Sequence, residues 1–105
     1  MFWEDMFEKV PGAKGWIALG GAGKPVPYGA ATYDRMGRIT RYLADLKNPE
    51  WRAYLKKRID LAVESGADGV IYDNARGDDA FNVYVELMPY ATSRKRDFVI
   101  MSNLR

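Results

Sequence analysis

Two short apolar runs of this sequence each end on polar residues that could do chemistry. The run at 70–72 is followed by Asp73 and Asn74, and the run at 98–101 is followed by a serine and then by Asn103. In α/β proteins, functional side chains are concentrated where buried strands end. The pattern therefore predicts a carboxylate site at Asp73. The alternative is that Asp73 and Asn74 only form a turn or cap the next helix.

The composition narrows the chemistry that such a site could perform. The 105 residues contain no Cys and no His, which excludes disulfides, thiolate metal sites, His-ligated zinc and any catalysis by imidazole. Carboxylates, Lys, Tyr, Ser and Thr remain as catalytic candidates. No cofactor is predicted. The lack of Cys leaves the redox compartment open.

Charge and hydropathy limit the classes of partner that the chain is expected to bind. The formal net charge of +2 comes from 16 basic and 14 acidic residues that are interspersed along the chain. The basic cluster at 94–96 is too short to indicate a nucleic-acid surface. No segment is apolar enough to predict a membrane span. Residues 1–5 do not resemble the start of a signal peptide, which predicts a cytoplasmic protein or one separated from its targeting segment.

The elements that must position Asp73 have clear boundary signals. Asn48 is a typical N-cap and Pro49 a typical first helical residue, and the apolar stripe that follows predicts a helix that ends near Gly66, a residue suited to a left-handed closing position. The unalternated run at 70–72 predicts a strand buried on both faces. A second helix with Asp79 as its cap, ended or kinked by Pro89, then leads to another strand at 98–101. This order predicts two parallel strands whose carboxyl ends lie side by side.

The segment before the first of these helices predicts a hairpin-like excursion. Residues 16–19 predict a strand, 20–23 a turn, and 24–28 an extended arm whose two prolines suit an edge. Near the start of the chain, apolar residues at helical spacing between 2 and 10 predict a short helix.

A sheet of only two or three parallel strands would leave long open edges. We therefore expect either a piece of a larger barrel or an assembly that completes the sheet from another copy.

Two motifs resemble a known family. The sequences NPEWR-x-YL at 48–55 and GADGV-x-YDN at 66–74 resemble the middle of glycoside-hydrolase-like (β/α)8 barrels. The Tyr-Asp-Asn at 72–74 is similar to the strand-four motif of α-galactosidase-type enzymes, although Ile71 and Ala75 replace the Lys and Cys usual there. The resemblance implies an α/β fold: a partial (β/α)8 (TIM) barrel with parallel strands, preceded by the hairpin-like excursion. Residues 1–105 would be a single domain and a segment of that larger barrel.

The same resemblance implies a function and a set of site residues. The parent would be a glycoside hydrolase acting on a carbohydrate, with Asp73 as nucleophile or charge stabiliser. Asn74 and Asn103 would bind sugar hydroxyls, while Tyr28 and Trp16 would stack on a sugar ring. Glycosidases need a second carboxyl group, which in this family comes from a later strand. The chain alone would then be inactive.

Two alternatives remain open at this stage. A non-catalytic carbohydrate-binding or assembly module could use the same cleft without an acid pair. A Mg²⁺ or Ca²⁺ site could be formed by Asp73, Asn74, Asp78 and Asp79, although the two later aspartates are better explained as the cap of a helix. The expected partners are a carbohydrate and either a second copy of the chain or the remainder of the barrel, with no nucleic acid and no membrane.

Overall fold

The structure, a computed structural model, describes residues 2–3, 9–27, 35–37, 41–73 and 77–103. The chain divides into two compact units, Met1–Trp51 and Arg52–Arg105. Among the described residues, no helix has an apolar stretch long enough to span a bilayer.

Helix α1, Pro49–Glu64, begins and ends as its sequence predicts. The side-chain Oδ1 of Asn48 accepts hydrogen bonds from the backbone N–H groups of Glu50 at 2.8 Å and Trp51 at 3.3 Å. These two donors would otherwise be unsatisfied at the helix start. Gly66 follows the last turn with φ of 88°, a left-handed conformation that a Cβ would strain. Both boundary predictions are confirmed.

Helix α2, Gly77–Arg94, is longer than its sequence predicts. Its buried stripe consists of Ala80, Val83, Leu87 and Ala91, which recur at helical spacing. The prediction that Pro89 ends or kinks the helix is wrong for its end, because α2 continues for five residues beyond it. Because proline has no backbone N–H, the carbonyl of Val85, four residues earlier, loses its helical donor. Val85 is an exposed residue.

The second unit contains a parallel pair of strands, β3 (Gly69–Asp73) and β4 (Val99–Asn103). All five residues of β3 are in register with β4, from the pair Gly69 and Val99 to the pair Asp73 and Asn103. Helix α2 forms the connection between them. The predicted parallel strand–helix–strand unit is therefore confirmed, and its two carboxyl ends lie at the same edge.

Gly69 allows the two strands to approach closely. A Cβ built at this position would lie 2.5 Å from the carbonyl oxygen of Val99 and 3.3 Å from its Cβ. Any larger residue would therefore push the neighbouring backbone away. The glycine therefore permits the close approach of the two strands at the amino end of the pair.

The first unit is built from short extended segments. Strand β1 (Phe2–Trp3) pairs antiparallel with β2 (Arg41–Tyr42), so the helix predicted over 2–10 is wrong at its start. The predicted reversal is present: the N–H of Gly20 donates to the carbonyl of Lys24 at 2.8 Å, and an antiparallel bridge joins Leu19 to Pro25. Of the strand predicted over 16–19, Trp16 instead ends a 3₁₀ helix, Ala13–Trp16. Ile17 and Leu19 form isolated antiparallel bridges with Ala44 and Pro25.

The predicted partial barrel is wrong. The described residues contain two α-helices, one parallel pair of strands and one antiparallel pair of two-residue strands. A barrel needs a continuous sheet that curves to closure. The two pairs here are separate sheets. The described ranges form a mixed α/β fold that contains one parallel strand–helix–strand unit.

Candidate functional site

The carboxyl edge of β3 and β4 brings together two of the residues singled out from the sequence. Asp73 and Asn103 are register partners at the last position of each strand. Neighbouring strands lie about 4.8 Å apart. The backbone therefore holds a carboxylate residue and a carboxamide residue next to each other at one edge.

The face of the sheet that leads to this edge is apolar and open. Ile71 and Met101 are register partners on that face and lie two residues before Asp73 and Asn103. Val99 lies two residues before Met101 on the same face. The exposed fractions of Ile71, Met101 and Val99 are 63%, 51% and 52%. The prediction that both strands are buried on both faces is therefore wrong for this face in the part of the chain that the structure describes.

The opposite face of the sheet is covered by α2. The Tyr72 ring packs against Tyr84 of α2 with centroids 5.9 Å apart. The Tyr72 hydroxyl is buried and has no hydrogen-bond partner among the described residues. Burial, together with the neighbouring Tyr84 hydroxyl, raises the pKa of Tyr72 to about 12. This hydroxyl stays neutral at any physiological pH.

The amino edge of the same sheet has its charge already paired. Lys95 Nζ lies 2.7 Å from Oδ1 of Asp68 and donates to the carbonyl oxygen of Ala67 at 3.0 Å. The hydrogen bond and the positive charge of Lys95 lower the pKa of Asp68. The contact ties the residue after α2 to the residue before β3. The amino edge is thus a structural contact, which leaves the carboxyl edge as the candidate site.

Two further carboxylates lie close in sequence to the carboxyl edge. Asp78 and Asp79 are exposed in the first turn of α2. Because the helix already begins at Gly77, the prediction that Asp79 caps it is wrong, and Asp79 is the third residue of the helix. Negative charge in a first turn interacts favourably with the positive end of the helix dipole. This explains both aspartates without a ligand.

Trp16, which the resemblance assigned to sugar stacking, is a packing residue of the first unit. It is only 7% exposed, and its ring centroid lies 6.0 Å from that of Trp51. Its indole N–H donates to Oε2 of Glu50 at 2.9 Å. A ring must expose a face to stack on a ligand, so the candidate site does not include Trp16.

Tyr28 and Asn74 lie outside the described residues. The predicted Mg²⁺ or Ca²⁺ site includes Asn74, so this site also extends outside the described residues. Within the part of the chain that the structure describes, no group of three or more acidic side chains is arranged to hold a metal ion.

The sequence reasoning missed the open apolar face that adjoins the polar edge. An unalternated apolar run looks the same whether one or both faces of its strand are covered. The signal that could have found it is the two-residue spacing, which relates Ile71 to Asp73 and Met101 to Asn103.

Comparisons with known proteins do not add to this description. No protein-family model matches the chain, and no curated protein or solved structure shows significant similarity to it.

Proposed function

We propose that this chain binds a carbohydrate at the carboxyl edge of β3 and β4, and that Asp73 acts there as the nucleophile or charge stabiliser of glycoside hydrolysis. The observation that carries the proposal is the register pair of Asp73 and Asn103. A carboxylate accepts hydrogen bonds, and a carboxamide both donates and accepts them. Vicinal sugar hydroxyls, which do both, are complementary to such a pair.

Asp73, at the last position of β3, supplies the residue type that this chemistry requires. A carboxylate must be ionised to attack an anomeric carbon or to stabilise an oxocarbenium-like transition state.

A second candidate function is carbohydrate binding without hydrolysis, and the pairing of Asp73 with Asn103 favours it. Hydrolysis of an ordinary glycoside needs a carboxylic acid to protonate the leaving oxygen. The register partner of Asp73 is a carboxamide, which cannot serve as that acid. Both candidates share the same binding edge and differ only in the chemistry that follows.

Binding is tested first. The full 105-residue chain is titrated with methyl glycosides of glucose, galactose and mannose in both anomeric forms, and binding is followed by NMR shift perturbation and calorimetry. We expect Asp73→Asn, which replaces a charged acceptor by a carboxamide, and Asn103→Ala, which removes a carboxamide, each to weaken binding of the best sugar by about tenfold, or roughly 1.4 kcal/mol. Asp97→Asn is the matched control, because Asp97 is an exposed aspartate in the turn before β4, at the amino end of that strand.

Chemistry at Asp73 is tested by trapping. A 2-deoxy-2-fluoro dinitrophenyl glycoside needs no acid, because dinitrophenolate leaves without protonation. The Asp73 carboxylate attacks the anomeric carbon, and the bond to the phenolate oxygen breaks with its electron pair. The glycosyl ester then remains on the protein, since the fluorine slows its hydrolysis. Mass spectrometry of the peptide that contains Asp73 detects the ester.

The two experiments separate the candidates. Binding together with an ester at Asp73 supports the hydrolase. Binding with no ester, in wild type and in Asp97→Asn alike, supports the binding module. If no sugar in the panel binds, or if Asp97→Asn weakens binding as much as Asp73→Asn, the proposed function is overturned.

A further inference from the structure

We propose that the open face formed by Ile71, Val99 and Met101 holds the aglycone of the ligand, so that the preferred carbohydrate is a glycoside with an apolar group of about eight carbons. The inference rests on the proposed function, because it takes the sugar to lie at Asp73 and Asn103. It names the class of glycoside that the site selects.

The first support is continuity. By strand alternation, Asp73 and Asn103 occupy the next positions on the face that carries Ile71 and Met101. A ligand that is polar at one end and apolar at the other would match this order without crossing to another element. The face opposite to it is covered by α2, through the contact of Tyr72 with Tyr84.

The second support is size. With a rise of about 3.3 Å per residue, the level of Val99 lies about 13 Å from the level of Asn103, and that of Met101 about 7 Å. An extended eight-carbon chain, roughly 10 Å long, spans most of this strip. A single methyl group is too small to cover this strip.

The third support is the area of the face, which argues against a protein as its occupant. Three aliphatic side chains exposed by 51–63% offer roughly 250 Å² of apolar surface. A stable dimer buries about 800 Å² on each partner. These three side chains alone provide much less area than a stable dimer needs, and their area suits a short apolar chain.

The test compares octyl with methyl glycosides of the sugar that binds best, with the octyl compounds kept below their critical micelle concentration. We expect the octyl glycoside to bind about tenfold more tightly to the wild-type chain. We expect Met101→Thr and Ile71→Thr each to reduce this advantage to about twofold or less while leaving the affinity for the methyl glycoside unchanged. Threonine suits a strand, and circular dichroism checks that both variants fold.

Met88→Thr is the matched control. Met88 and Met101 are each 51% exposed, but Met88 lies on α2, away from the strand face. If Met88→Thr reduces the octyl advantage as much as Met101→Thr does, the alkyl chain binds non-specifically and the inference is overturned. Equal affinity for octyl and methyl glycosides also overturns it, but leaves the proposed function standing when the methyl glycoside still depends on Asp73.

Two further outcomes test whether the face instead binds alkyl chains without the sugar or a second copy of the chain. If the octyl glycoside binds equally well to wild type and to Asp73→Asn, the face binds alkyl chains without the sugar, and both the inference and the proposed function fail. If sedimentation equilibrium shows a dimer that Met101→Thr dissociates and Met88→Thr does not, the face is an interface between copies, and the inference is overturned.

Discussion

The Tyr90 hydroxyl donates a hydrogen bond of 2.6 Å to Oδ1 of Asp60, and in this way joins α2 to α1. Arg94 reaches the same oxygen through Nε at 2.9 Å. One carboxylate oxygen of α1 therefore accepts from two residues of α2 that lie one helical turn apart. The contact is partly exposed, so its contribution to stability is modest.

Replacing Tyr90 by Phe should lower the free energy of unfolding by about 1 kcal/mol, because the hydroxyl that donates a hydrogen bond to the Asp60 carboxylate is removed. The bond to Asp60 is also the main reason why the pKa of Tyr90 is raised. A raised folded-state pKa stabilises the protein below the unfolded pKa near 10, and this stabilisation is lost as pH rises through the folded value. Urea unfolding at pH 7 and above pH 10 measures both effects. Tyr84→Phe is the control, since no hydrogen bond from the Tyr84 hydroxyl is found among the described residues, and an equal loss there would contradict the assignment.

Glu86 should make stability depend on acid pH. Its Oε2 lies 2.8 Å from Arg52 and its Oε1 2.9 Å from Lys56. The hydrogen bonds from Lys56 and then Arg52 lower the pKa of Glu86. A lowered folded-state pKa adds stability above the unfolded pKa near 4.5, and the gain disappears as pH falls through the folded value.

For Glu86→Gln we expect a loss of about 0.5 kcal/mol at pH 7, kept small by solvent screening of side chains that are 23–35% exposed. The loss should fade below pH 4. Thermal unfolding between pH 2.5 and 7 measures it. Glu64→Gln, at an exposed position of α1, serves as the comparison, and identical pH profiles for the two variants would count against the proposed role of Glu86.

Gly69→Ala should disrupt the parallel pair. The added Cβ would meet the Val99 carbonyl at 2.5 Å, and relieving that contact requires a backbone shift that costs about 2 kcal/mol. Chemical denaturation measures the loss. Gly15→Ala provides the control, because a Cβ there meets nothing within 4 Å; equal stability of the two variants would show that β3 and β4 do not approach so closely.

Tyr72→Phe should be neutral or slightly stabilising at pH 7, since it removes a buried hydroxyl that has no partner among the described residues. A larger difference in stability between Tyr72→Phe and the wild type is expected at alkaline pH. The wild-type pKa of about 12 means that, between pH 10 and 12, only the unfolded chain loses this proton and stability falls. Unfolding measured at pH 8, 10 and 11 should show a smaller decline for the variant, and a clear loss of stability at pH 7 would mean that the hydroxyl has a partner after all.

The local elements could be predicted because their signals are local. Asn48 with Pro49 specifies a helix start through two backbone donors, and Gly66 specifies its end through one dihedral angle. The parallel order of β3 and β4 follows from a strand, a helix and a strand in sequence. These predictions depend only on residues close to one another in the chain.

The barrel could not be predicted from the same information, because closure depends on how many strands join one sheet. A strand–helix–strand motif is identical in a barrel, an open sheet or a single unit. The burial of Trp16 could not be predicted for a related reason: it depends on contacts with Glu50 and Trp51, more than thirty positions away in the sequence. Helix α2 also continues past Pro89 with Val85 exposed, and that exposure is set by tertiary packing and not by the local sequence.

Asn48 does more than cap α1. While its Oδ1 accepts from the helix start, its Nδ2 donates to the carbonyl oxygen of Gly15 at 3.1 Å. Serine and aspartate would cap equally well, but neither offers an amide donor in addition. The side chain thereby joins the first turn of α1 to the 3₁₀ turn at 13–16, so a substitution that keeps the cap but removes the amide would separate the two.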